Sequence, residues 1–271
     1  MSMHAEYYSS YGSLSAEDYF KQHIIENADE NARYNYVIDN LPLDSESIFD
    51  IGCGCGYFLY LLKRQFPAKV LGMEINKSKL LLAQNRYYLD VILGSAESLP
   101  VKTRTFDVVT ALEVLEHLPF LTYEKALEEI QRVAKKYIII TVPYREERKN
   151  VTCPYCGCRF NGSYHLRSFE EGQLEKLFVE FEVKKMMRLN EVEQISIPFV
   201  RLINPRSKIA TSPYIVCPQC GYKNLLNFLD TTKDKSYFAD KIKKSLLQIM
   251  PKSRKYRWIM VIYQRRNDLG A

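Results

Sequence analysis

The stretch Phe49-Asp50-Ile51-Gly52-Cys53-Gly54-Cys55-Gly56-Tyr57-Phe58 decides the fold. A strand over residues 47–51 runs into three glycines, and Phe58-Leu59-x-Leu61-Leu62 then sets out an apolar helical face. Glycine lets the backbone turn sharply and approach a ligand closely. The helix that follows presents N–H groups with no partner inside the helix. The spacing Gly-x-Gly-x-Gly differs from the dinucleotide pattern Gly-x-Gly-x-x-Gly, and Asp50 stands just upstream of it. On its own, such a turn is compatible with a tight turn and nothing more.

Outward from this junction the chain alternates. Strands are expected over 69–74, 90–93, 106–111 and 137–142, with helices over 78–87 and 123–135. Residues 170–178 read as a helix, 181–189 as a sixth strand and 257–264 as a last strand. This pattern predicts an α/β fold with a mainly parallel sheet covered by helices on both faces. Upstream, helical spacing appears at Tyr19, His23 and Ile24, and again at Tyr34, Val37, Ile38 and Leu41, where Pro42 ends it. The expected organisation is a core over 1–143, an insertion over 144–168, a core helix and strand over 169–189, a second insertion over 190–256, and a final strand and tail over 257–271.

Composition narrows the class. The chain has 271 residues, 46% hydrophobic and 26% charged, which is ordinary for a globular protein. No apolar run approaches the roughly 18 residues of a membrane span. The first residues lack a basic start followed by an apolar stretch, so a cytoplasmic protein is expected rather than a secreted one. Net charge is +6, but from Lys233 onward 11 basic residues face 3 acidic ones, which leaves the remainder at −2. Such a tail suits an anionic surface or RNA, or else the solvated face of a helix; Phe238, Ile242, Leu246 and Ile249 keep helical spacing, with Lys241, Lys243 and Lys244 off that face.

Glu74, at the end of the second strand, can accept both hydroxyls of a ribose; NAD enzymes also place an acid there, so it does not decide the cofactor. The order is more specific. Asp50-x-Gly52-x-Gly54-x-Gly56, Glu74, Gly94-Ser95-Ala96-Glu97-x-Leu99-Pro100, Phe106-Asp107-Val108-Val109 and Glu113-Val-Leu-Glu116-His117 follow one another along the chain. Over roughly residues 30–145 this resembles the class I S-adenosylmethionine (SAM)-dependent methyltransferases. The resemblance implies a Rossmann-like seven-stranded sheet with an antiparallel last strand. It also implies that the turn Gly52, Cys53, Gly54, Gly56 backs the methionine part of SAM, that Asp50 organises the turn, that Glu74 binds ribose, and that Ala96 and Glu97 lie beside adenine. Cys53 and Cys55 are expected to pack the loop rather than act as nucleophiles.

Glu113, Glu116 and His117 follow the fourth strand. If they begin a helical turn, positions i, i+3 and i+4 share one face, and two carboxylates with an imidazole can hold a divalent cation. The alternative is that Glu113 lines the cofactor pocket, Glu116 is solvated and His117 is a general base or caps the next loop. Glu-x-x-Glu-His is similar to the metal site of small-RNA 2′-O-methyltransferases and to ubiquinone-pathway O-methyltransferases. That resemblance makes His165, in Tyr164-His165-Leu-Arg-Ser-Phe169, a fourth ligand.

Cys153-Pro-Tyr-Cys156-Gly157 and Cys217-Pro-Gln-Cys220-Gly221 are both knuckle sequences, 60 residues apart. Two intervening residues let both thiolates reach one tetrahedral ion, so structural zinc is preferred over a redox disulfide; Cys158 is a spare thiol or a substitute ligand. Both insertions should leave the carboxyl end of the sheet and wall the acceptor pocket. The function expected is SAM-dependent methylation, at oxygen, of a small-molecule, glycan or lipid-linked acceptor. An RNA methyltransferase using the zinc module and tail is the alternative, and a non-catalytic SAM-binding partner is the reading of another class.

Overall fold

A computed structural model describes residues 21, 27–148, 150–195, 217–222 and 252–266. The helical spacing at Tyr19, His23 and Ile24 and the basic face at Lys241, Lys243 and Lys244 lie outside the described residues.

Helix α1 (Ala28–Asp39) begins where the Asn27 side chain accepts the N–H groups of Asp29 and Glu30. Strand β1 (Ser47–Ile51) leads through the glycine turn into α2 (Tyr57–Gln65). Then come β2 (Lys69–Glu74), α3 (Lys77–Tyr87), β3 (Val91–Leu93), β4 (Phe106–Leu112), α4 (Phe120–Val133) and β5 (Ala134–Pro143). The rest is β6 (Asn150–Thr152), β7 (Arg159–Asn161), the single turn α5 (Glu171–Leu174), β8 (Phe181–Ile195) and β9 (Lys252–Arg265). Seven strands form one sheet in the order β3-β2-β1-β4-β5-β9-β8, while β6 and β7 pair separately. The first five are mutually parallel, and β9 runs antiparallel to β5 and β8. This is the Rossmann-like, seven-stranded α/β sheet.

The alternating side chains of each strand feed two cores. Phe49, Ile51, Val109, Ile138, Ile140, Val261 and Tyr263 face α4, whose Ala126, Leu127, Ile130 and Val133 close that side. Ile48, Val70, Val108, Tyr137, Ile139 and Ile262 face the other side, covered by α1, α2 and α3 through Val37, Leu59, Leu62 and Ala83. Each fully buried side chain of this kind contributes about 1.5–3 kcal/mol relative to exposure.

Strand order reverses between β1 and β4, so the connections after them diverge and leave a crevice at the carboxyl edge. The connections after β5 and β8 leave the same edge, because β8 runs parallel to β5. Three elements differ from expectation. The helix expected over 170–178 is one turn, and Phe178 enters the core instead. Strands β8 and β9 run past residues 189 and 257 and pair with each other through Glu191↔Tyr256 to Ile195↔Lys252. The hairpin β6–β7 flanks the first cysteine pair and has strands of only three residues.

Candidate active site and cysteine cluster

The glycine turn hangs from β2. The carbonyl of Met73 accepts the N–H groups of Gly52 and Cys53 at 2.8 and 2.9 Å, and Glu74 Oε2 accepts that of Gly54 at 2.8 Å. Glu74 Oε1 takes the N–H of Asn76 at 2.8 Å. All three glycines have positive φ, between 56° and 80°. Their roles differ. A Cβ on Gly52 would sit 2.6 Å from Val114, and one on Gly56 would sit 2.6–2.7 Å from Leu89 and Ala83, so those two are required for packing. A Cβ on Gly54 would meet nothing within 4 Å among the described residues. Among the described residues, that side of Gly54 is open.

Asp50 is buried on β1 and accepts the Thr110 hydroxyl of β4 at 2.6 Å. Burial raises its pKa to about 7, against the pull of that hydrogen bond. Its bond ties the two strands of the switch point together, while β2 takes up the turn's amides. Cys53 and Cys55 are buried, and burial pushes the Cys53 thiol well up, so both pack the turn. Ala96 is buried in the core beside Met73, and the exposed Glu97 accepts the Thr122 hydroxyl at 3.0 Å.

After β4 the chain does not begin an α-helix. Glu113 takes a φ of 55°, its N–H donating to Thr141 at 2.9 Å, and a 3₁₀ turn follows over Leu115–His117. The helical turn on which a shared face depended is therefore not formed, although the Glu113 and Glu116 carboxyls remain neighbours. Glu113 turns towards α1 and β9, where its Oε2 accepts Trp258 Nε1 at 2.7 Å and its Oε1 lies 3.9 Å from Arg33. Glu116 is fully buried rather than solvated; neither carboxylate oxygen accepts a hydrogen bond from an N–H or O–H of the described residues, and its carboxyl neighbours that of Glu113. Burial, then the neighbouring Glu113, push its pKa well above the ordinary carboxylate value.

Glu116, His117 and His165 do come together, with one ligand atom from each within 4.8 Å of the others. His117 Nε2 lies 4.0 Å from Glu116 Oε1, and the two imidazoles meet edge to face at 4.8 Å between centroids. Burial, then His165, lower His117 to about 3, so it is neutral at pH 7. His165 arrives on a strap over residues 164–169 that is tied to the 3₁₀ turn. Leu166 N–H donates to Glu116 O at 2.8 Å, and Arg167 donates to the carbonyls of Leu115 and Leu118 while stacking on Tyr123. Sequence reasoning missed Arg33 and Glu146. Arg33 is 2% exposed, donates to Thr141 Oγ1 at 2.8 Å, pairs with Glu30 and lies over Trp258. Charged residues of this kind, with Glu146 inside the charged run Arg145-Glu146-Glu147-Arg148-Lys149, read in a sequence as solvated surface.

Cys153, Cys156, Cys217 and Cys220 form one cluster, with all four Sγ atoms within 4.8 Å of one another. Cys153–Cys220 and Cys156–Cys217 are each 3.6 Å apart. A disulfide needs about 2.05 Å, whereas four thiolates about 2.3 Å from a tetrahedral zinc are roughly 3.8 Å apart. The spacing fits the ion. The two knuckles repeat one turn: Gly157 and Gly221, at φ 74° and 72°, donate to the carbonyls of Cys153 and Cys217 at 2.9 Å. At Cys153 burial raises the thiol pKa, but the N–H groups of Cys156 and Tyr155, with the neighbouring thiols, bring it down to about 7. Cys158 packs beside the cluster.

Comparison with known proteins agrees with this geometry. Residues 49–140 match the family described as methyltransferase domain. Over 121 residues the chain is 29% identical to phthiotriol/phenolphthiotriol dimycocerosates methyltransferase 1 of Mycobacterium ulcerans, covering 42% of this chain and 44% of that protein. Over 94 residues it is 35% identical to a ubiquinone biosynthesis O-methyltransferase of Nitrosococcus oceani, covering 32% and 39%. The matched stretch thus spans about two fifths of the length of these relatives. Among solved structures, a chain of the complex between the Haloferax volcanii Trm112 methyltransferase activator and a methyltransferase aligns with TM-score 0.55 at 12% identity, covering 93% of this chain and 98% of that one. A SAM-dependent methyltransferase of Archaeoglobus fulgidus aligns with TM-score 0.53 at 17% identity, covering 92% and 99%. At such identities the structural likeness shows the fold. Among the described residues no helix is long and apolar enough to cross a membrane.

Proposed function

We propose that this chain is a SAM-dependent methyltransferase that acts at oxygen on a small-molecule, glycan or lipid-linked acceptor. The observation that carries this is Gly54, at positive φ with an open face, beside the buried carboxylate of Glu74 at the strand-order switch. Gly52, Cys53, Gly54 and Gly56 would back the methionine part of SAM. Glu74 would accept the ribose hydroxyls through lone pairs not used by the amides, and Ala96 and Glu97 would flank adenine. Asp50 holds β1 to β4 beneath the site. Oxygen as acceptor atom is favoured by a relative that is itself an O-methyltransferase.

Glu116, His117 and His165 would hold a divalent cation, which when bound lowers the pKa of an acceptor hydroxyl. A buried carboxyl whose oxygens accept no N–H or O–H, beside two imidazoles, fits a cation: burial alone favours its neutral form, and a bound cation would compensate the charge it carries as a ligand. Glu113, whose carboxyl borders that of Glu116, is itself held by Trp258 and lies near Arg33. A neutral, buried His117 with its pKa near 3 favours the ligand role over a general base working near neutrality. Cys153, Cys156, Cys217 and Cys220 would hold a structural zinc that fastens the wall of the acceptor pocket.

The test is transfer of tritiated methyl from SAM by the full chain, supplied with fractionated cell extract. Label is expected in the small-molecule or lipid fraction. Label confined to RNA contradicts the acceptor class, and no label in any fraction contradicts the activity.

A further inference from the structure

Glu146 lies just beyond the end of β5, outside every motif considered above. Its Oε2 is 2.5 Å from Nδ1 of His165, and both side chains are largely buried, 26% and 14% exposed. The backbone around this pair is fixed as well, since Asn161 Oδ1 accepts the N–H groups of Ser163 and His165 at 2.8 and 3.1 Å.

We infer that Glu146 is a positioning residue: it holds the proton of His165 on Nδ1 and so leaves the lone pair on Nε2 for the cluster with Glu116 and His117. The inference rests on the cation-site reading of that cluster. The chemistry is that of neutral imidazole, in which one nitrogen donates and the other accepts. A carboxylate only accepts, so a nitrogen held against it carries the hydrogen. The same logic applies at His117, whose Nδ1 faces the carbonyl of Tyr164 at 3.3 Å. Both rings are thus set in one tautomer by an oxygen outside the cluster, which is how outer carboxylates and carbonyls orient metal-binding histidines. The two oxygens differ in kind. A carbonyl fixes a ring weakly, whereas a carboxylate makes a charge-assisted bond and raises the electron density of the ring it holds. Glu146 therefore governs His165, the ligand that comes from a separate segment and must be carried to the site.

The test reads the tautomer directly. Long-range proton–nitrogen spectra of the chain at about pH 8, with zinc in the cysteine cluster and no other metal, should show His165 protonated at Nδ1. Glu146→Ala should move the proton wholly or partly to Nε2. Glu146→Gln, whose amide oxygen still accepts, should restore Nδ1–H. Manganese(II) alone, followed by water-proton relaxation with zinc left in the cysteine cluster, gives a second reading. Glu146→Ala should weaken it about 10–100-fold, and the same change on a His165→Ala background should weaken it no further. Amide spectra and melting temperature check that each variant folds. His165 protonated at Nε2 in the unaltered protein, or unmoved in a folded Glu146→Ala, overturns the inference. The tautomer does not depend on methyl transfer, so failure of the enzymatic reading would leave this result standing.

Discussion

The N–H of Gly54 donates to the carboxylate of Glu74 at 2.8 Å, so the residue expected to grip the cofactor's ribose also shapes the turn expected to back its methionine end. One carboxylate serves two parts of the site. Glu74→Ala should lower SAM affinity by roughly tenfold or more, since a hydrogen bond to a charged group is worth about 1.5–3 kcal/mol. Titration calorimetry reads this, and unchanged affinity would exclude Glu74 from the cofactor site.

The three glycines should separate by experiment. Gly56→Ala drives a Cβ into Leu89 and Ala83 and should chiefly cost stability. Gly54→Ala meets only open space and should cost about 1–2 kcal/mol for the left-handed backbone, yet remove most SAM binding. Denaturant melts alongside calorimetry distinguish them; equal loss of both properties in both variants would contradict the assignment.

Purified protein should carry about one zinc per chain, because four thiolates complete one tetrahedral shell. Cys156→Ser and Cys220→Ser should each lower zinc content and melting temperature. Elemental analysis showing no metal, with stability unchanged after exhaustive chelation, would rule the zinc out.

Asp50 makes stability depend on pH with a defined sign. Its folded pKa, raised by burial to about 7, exceeds the ordinary carboxylate value in the unfolded chain. Its contribution is therefore fully present below about pH 4 and lost as pH rises through about 7. Asp50→Asn should flatten the melting-temperature profile between those limits, and an identical slope in the variant would show that Asp50 is not the group responsible.

Much of the fold was legible because its signals are local and repeated. Strands at 47–51 and 69–74 announce themselves by apolar runs ending in glycine or glutamate, and their structural ends match. The outer ribbon is hard to read in the sequence because, beyond Leu189 and Trp258, β8 and β9 form their ladder with each other and lose the apolar run that a buried strand shows. At the site, spacing brought Glu116, His117 and His165 into view, whereas the 60 residues between the two knuckles left their meeting to the structure, which places all four thiols together. Helical spacing assumes helical φ, so it does not describe Glu113, which stands at φ 55° before a 3₁₀ turn with its carboxyl held by Trp258. Arg33 and Glu146 act across more than one element, and nothing in their immediate sequence marks them.

The central claim is that the crevice over Gly54 and Glu74 binds SAM, and one calorimetric titration of the full-length protein tests it most directly. SAM, or its demethylated product, should bind at about one per chain in the unaltered protein, with binding lost in Gly54→Val and NAD giving no heat. Saturable NAD binding with no SAM binding would contradict the account.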